Sequence, residues 1–295
     1  MMHPAALVFP LCLQNIEESA VLSPTSPANM DGVIDSSEEP LGPIFLDHPD
    51  TIGQGNLNTN ALAETGVLQL HAAPRAQTSV HFDVRTTIMV VAASYGITDH
   101  LDASLVIPVI QEDVDVHVRI GPFVGRTTFS AAGVSDLSAR LKYQFHPNLA
   151  LTLKAIFPTG DSSRGFGLDT YWLTPGVAAS WPIGKRMQLN ARAAGELDLS
   201  YLNQSGVSYG VGASALVGPV ALVFEFLGSK GLQNSLSLFD VTYGDGHTFD
   251  LAFGIRAPLP HGFMVFVAGT YALDHDGIRP AGVSPVVGVG WNAMH

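Results

Sequence analysis

Residues 135–157, SDLSARLKYQFHPNLALTLKAIF, alternate between two chemistries on both sides of a three-residue turn. Ahead of the turn, Leu137, Ala139, Leu141, Tyr143 and Phe145 are apolar, while Asp136, Ser138, Arg140, Lys142 and Gln144 are polar. After His146, Pro147 and Asn148 the period resumes, with Leu149, Leu151, Leu153, Ala155 and Phe157 set against Asn148, Thr152 and Lys154. Successive side chains of a strand point to opposite faces, so a period of two puts one face in a greasy medium and the other in a polar one. Arg140, Lys142 and Lys154 share the polar face. That is too much charge for the dry interior of a sandwich, and it fits a wall between lipid and water.

The rest of the chain is consistent with such a wall. Of its 295 residues only 14% are charged, and 30 are glycine, which makes it more apolar than an ordinary soluble domain. No uninterrupted apolar run reaches about eighteen residues, so a transmembrane helix is excluded and alternation must spread the apolar residues. The formal net charge of -12, without a basic patch, argues against a nucleic-acid partner. Cys12 is the single cysteine, which excludes an internal disulfide framework and a thiolate metal cage. It sits in a short apolar run, residues 5–13, that reads as a degenerate export signal, since no Lys or Arg precedes it and no small-residue cleavage site follows.

Residues 1–65 are expected to form an N-terminal extension: the degenerate signal, then an acidic segment rich in Ser, Pro, Asn and Gly, read as a disordered tail in preference to a lumen plug. Residues 66–295 are expected to form the barrel. Its strands are placed at 66–72, 80–95, 101–110, 137–145, 149–157, 171–181, 187–199, 207–217, 220–227, 248–257, 263–273 and 283–291. The phase of the second is blurred by the apolar run 88–93, and residues 111–133 and 229–247 are read as the long connections, the first with Val positions able to extend the preceding strand. The fold class is all-β: a transmembrane antiparallel barrel of about twelve strands, outer-membrane type, with tight turns at one rim and longer loops at the other. Tyr143, Phe145, Trp181, Phe263 and Trp291 fall near the tight-turn rim, and Phe157, Tyr171, Phe249 and Tyr271 near the other, as two interfacial girdles.

Residues 133–145 (GVSDLSARLKYQF), 153–161 (LKAIFPTGD), 95–102 (YGITDHLD) and 284–290 (SPVVGVG) together resemble the outer-membrane proteins associated with meta-pathway phenol degradation, a group described as transporters. The resemblance extends from about residue 47 to the C-terminus. It implies a barrel in the bacterial outer membrane that takes up small, aromatic molecules, and it supplies no defined set of substrate-binding residues. Members commonly end on an aromatic residue that the outer-membrane assembly machinery reads, whereas here Ala293, Met294 and His295 come after Trp291.

On the polar register, Arg140, Lys142, Lys154, Arg192, Glu196, Glu225 and Asp250 are the candidate lumen-lining residues for transport. Two readings of them stand. Segregated signs around the wall would set up a transverse field across an open pore, or the charges would pair across a narrow lumen and seal it. The expected function is a channel or transporter for small solutes by passive diffusion, with the bilayer and the solute as partners, no cofactor, no metal and no covalent chemistry. The alternatives are a membrane-embedded lipid hydrolase and a structural barrel with a sealed lumen. Gly206–Gly210 mimics a nucleophile elbow around Ser208, and Gly210-x-Gly212 a dinucleotide fingerprint, but neither precedes a helical pattern. Asp274, His275 and Asp276 form a polar loop with weak metal-site character.

Overall fold

The computed structural model describes residues 46, 48–75, 78–120, 122–164, 166–202, 205–231, 236–238, 241–243, 247–273 and 283–293. The strands are β1 (Leu57–Arg75), β2 (Thr78–Thr98), β3 (Leu101–Ile120), β4 (Phe123–Val134), β5 (Leu137–His146), β6 (Leu149–Phe157), β7 (Trp172–Ile183), β8 (Met187–Asp198), β9 (Gly206–Val217), β10 (Val220–Gly231), β11 (Leu236–Leu238), β12 (Val241–Tyr243), β13 (His247–Leu259), β14 (Phe263–Ala272) and β15 (Val283–Ala293). β1 pairs with β15 at one side and with β2 at the other, and β2 pairs on to β3, so the sheet closes on itself. Closure removes the unpaired edges that a lipid environment does not tolerate.

The wall has twelve strand positions although the chain has more strands. β11 and β12 pair with each other outside the wall. β4 and β5 share one position, because β3 pairs with β5 over Leu101–Val106 and with β4 over Val109–Ile120. Ser135 and Asp136 separate the two. Ile110 faces Gly133 across the ladder, which puts odd residues of β4 inward, whereas even residues of β5 point inward, so the phase slips by one residue at this break.

The alternation sorts as expected. Tyr143, Leu151, Leu189, Val211, Phe253 and Val287 are exposed on the outer surface, and Lys142, Thr152, Asn190 and Ser214 are buried on the inner one. The outward apolar band has the interfacial aromatics at its margins: Phe263 and Trp291 lie 6.4 Å apart at the tight-turn rim, and Phe157 meets Tyr171 edge-on at 6.5 Å at the opposite rim. A closed barrel with this band belongs in the bacterial outer membrane.

Three boundaries differ from the sequence reading. The first strand begins at Leu57, not at 66, so residues 57–65 belong to the wall; Asn58 and Asn60 supply inward polar residues and Ala61 and Ala63 outward small ones. Residues 111–133 are not a loose connection. There β3 and β4 continue as a hairpin beyond the lipid band, in which Val114, Val116 and Val118 alternate with Asp113, Asp115 and His117. Arg126 holds Asp115 through Nε at 3.0 Å, and a second donor, Nη2, completes a two-pronged bond. Within the connection read at 229–247, β10 runs on to Gly231 and β11 with β12 forms a small hairpin.

Candidate functional site: the lumen

Leu46 and residues 48–56, read as part of a tail, lie inside the barrel, while residues 1–45 and 47 lie outside the described residues. At the tight-turn rim Thr51 donates to the Asp99 carbonyl at 2.6 Å, and the Ile52 amide donates to Asp102 at 3.2 Å. Farther in, Lys142 Nζ donates to the carbonyls of His48, at 3.3 Å, and of Asp50, while His48 Nε2 lies 2.5 Å from the side-chain amide of Gln188. Deeper still, the Leu46 amide points at Glu225 Oε1, 3.5 Å away. Leu46 and residues 48–56 therefore run from the periplasmic rim toward mid-barrel inside the lumen. The two glycines that mimic a dinucleotide fingerprint make room for this segment. A Cβ on Gly210 would stand 2.4 Å from Leu46 Cδ2, and one on Gly212 would stand 3.2 Å from Leu46 Cδ1. Ser208 lies within the continuous strand β9, which lacks the strand-turn-helix geometry of a nucleophile elbow.

All seven candidate lumen residues, Arg140, Lys142, Lys154, Arg192, Glu196, Glu225 and Asp250, are buried on the inner face. Their signs are not segregated as a simple count along the chain suggests. Lys142, 2% exposed, lies 3.5 Å from Asp102, its register partner on β3. Arg256, 1% exposed, has Glu225 as its electrostatic counterpart on the adjoining strand β10. Charges thus pair with near neighbours along the wall, which offsets part of the cost of holding them away from bulk water. Arg140 and Lys154 are direct cross-strand partners, and Arg192 stands two strands on, on the same strand as Glu196.

Around the ring the lumen divides into two sides. The arc from β6 to β9 presents Thr152, Lys154, Asn190, Arg192, Glu196 and Ser214. Both side-chain amide atoms of Asn190 and Oε1 of Glu196 are buried without a hydrogen-bonding partner among the described residues, so this side is built to be hydrated. The facing arc, β14, β15, β1, β2 and β3, presents Leu62, Val90, Val106, Ile110, Phe266 and Val286, all buried. Polar groups bound this apolar belt: Asn58, Asn60, Ser94, Asp102 and Ser104 toward the periplasmic rim, and toward the other rim Glu112 and Glu64, which accepts from Thr270 Oγ1 at 3.3 Å. The apolar side escaped the sequence reading, although its signal was there. The run 88–93 blurs the period of two because β2 is apolar on both faces, toward lipid through Met89 and Val91 and toward the lumen through Val90 and Ala92.

Arg256, Asp102 and Glu64 join the lumen without having been singled out for it. His48 and Asp50 could not be found by periodicity, because an irregular segment carries them. The loop at 274–276 lies outside the described residues, and among the described residues no three His, Cys, Asp or Glu side chains are grouped to hold a metal ion.

Comparison with known proteins bears on the family and the barrel fold. The family model described as the MetA-pathway of phenol degradation matches residues 62–271. An outer-membrane channel from Pseudomonas putida F1 superposes with a TM-score of 0.59 at 15% identity, covering 83% of this chain and 98% of that one. The toluene transporter TbuX of Ralstonia pickettii gives 0.47 at 8% identity, covering 84% and 92%. The P. putida toluene transporter TodX gives 0.46 at 10% identity, covering 85% and 93%. No curated protein matches the sequence.

Proposed function

The chain belongs to the family associated with the MetA pathway of phenol degradation, and from that premise we propose that it is a passive outer-membrane channel for small aromatic molecules of limited water solubility. The two-sided lumen carries this reading. A sugar or an ion needs polar partners around its whole surface, and at mid-barrel the arc from β14 to β3 presents Leu62, Val90, Val106, Phe266 and Val286 instead. An aromatic solute with one polar group suits both sides, its ring lying against Val90, Val106 and Phe266 while its hydroxyl faces the hydrated arc. Arg140, Lys142, Lys154, Arg192, Glu196, Glu225 and Asp250, from β5 round to β13, line that route and give it polarity without chemistry. Leu46 and residues 48–56 lie in the periplasmic half and limit its width.

The test uses intact bacterial cells, because phospholipid vesicles let small aromatics cross unaided and would hide the effect. Cells producing the protein should take up phenol at low external concentration several-fold faster than the same host without it. Equal rates would defeat the proposal.

A further inference from the structure

Two stretches that carry the family resemblance, Gly133 to Asp136 and Pro158 to Asp161, meet at the extracellular end of the lumen. Asp136, at the break between β4 and β5, is 3% exposed and accepts two loop amides: Gly160 N–H at 2.8 Å and Leu168 N–H at 2.7 Å. Thr159 returns the contact, its hydroxyl accepting from the Leu137 amide at 2.9 Å. These bonds fold the β6–β7 loop inward. Inside the loop the Phe166 amide donates to the Asp161 carbonyl at 2.9 Å, and its ring, 1% exposed, joins the apolar lumen cluster with Ile110.

Two glycines permit this. Gly133 points inward beside Ile110, and a Cβ there would stand 2.5 Å from Phe166 Cδ2. A Cβ on Gly160 would stand 2.0 Å from the Phe166 carbonyl oxygen, which is backbone and has no room to move away. Arg164 covers the ring from the other side, its guanidinium carbon 5.5 Å from the centroid.

We propose that Phe166 is the size-selecting residue of the channel, and that Asp136 is the positioning residue that clasps the loop so that the ring narrows the apolar side of the mouth. The inference rests on the channel reading for its solute and on the Asp136 contacts for its geometry, and two readouts separate them. The first is the ratio of naphthalene to phenol uptake by intact cells. Phe166→Ala should raise that ratio several-fold and Phe166→Leu by less; an unchanged ratio overturns the filter. The second needs no transport. Trypsin added to intact cells should cut after Arg164 in Asp136→Ala and spare it in the parent, with Asp136→Asn, which keeps one acceptor oxygen, in between. Heat-modifiable migration of each variant establishes that the barrel has formed. Equal cleavage in parent and Asp136→Ala overturns the clasp, whatever the uptake shows. Absence of phenol uptake in the parent sinks the channel reading and the filter with it, while the cleavage result still decides the clasp.

Discussion

The lower and upper halves of β3 are one strand in two media. Below, Leu105 and Ile107 point outward and Asp102 and Ser104 inward. Above Gln111 the order inverts: Asp113, Asp115 and His117 take the outer register while Val114, Val116 and Val118 take the inner one. The backbone ladder runs through without a slip at that point, so nothing in the strand itself changes. What changes is the surroundings, hydrocarbon outside the lower half and water outside the upper. A charged outer row therefore marks the upper edge of the membrane, and the same edge appears on β2 between Thr87 and Arg85.

The sharpest way to break this comparison is at the inner face of the lower half. Lys142→Met removes the partner of Asp102 and the donor that holds the His48 and Asp50 carbonyls. Leaving a buried carboxylate uncompensated costs about 3–5 kcal/mol. Equilibrium unfolding of the barrel in urea should show that loss, and conductance in planar bilayers should rise as residues 46–56 come loose. Next in size, Leu105→Arg puts a charge on the lipid face and should cost about 2–4 kcal/mol. Asp113→Leu, the reverse change on the upper half, should stay within about 0.5 kcal/mol. Equal losses at Leu105 and Asp113 would mean that the edge has been drawn in the wrong place.

Gly210→Val tests the inserted segment from the other partner. The added side chain meets Leu46 first and also crowds Leu227 and the Phe226 carbonyl of β10, so conductance should rise and barrel stability, measured on the same urea curve, should fall by less than in Lys142→Met. The smallest effect concerns the hairpin above the membrane. Arg126 holds the Asp115 carboxyl below the usual carboxylate range. A lowered folded pKa means that the pair contributes above the ordinary aspartate value of about 3.9 and is lost as pH falls through the lower folded value. Amide protection in β3 and β4 above Gln111 should accordingly hold from pH 7 to about pH 5 and weaken only in stronger acid, with Asp115→Asn removing the pH dependence.

Much of this was legible in the chain because lipid and lumen impose opposite demands on adjacent residues. β5, β6 and β8 show that contrast in full, and the inward places of Arg140, Lys154, Arg192 and Glu196 follow directly from it. Where the contrast fails, so does the inference. β2 is apolar on both faces beside the apolar side of the lumen, and the upper half of β3 inverts its pattern in water. Both therefore looked irregular, and the second was read as a loop. Leu46, His48 and Phe166 act from irregular segments, where no period points to the lumen; glycines leave space for Leu46 and Phe166, and Lys142 and Gln188 hold His48.

The division of the lumen is the claim on which the transport reading depends. The most direct measurement compares phenol uptake by intact cells carrying Val90→Asp, which puts a carboxylate on the apolar side, with cells carrying Asn190→Ala on the hydrated side, both checked for barrel formation. The account predicts that Val90→Asp reduces uptake to near the host background while Asn190→Ala leaves it within about two-fold of the parent. Loss of uptake in Asn190→Ala with Val90→Asp unaffected would contradict it.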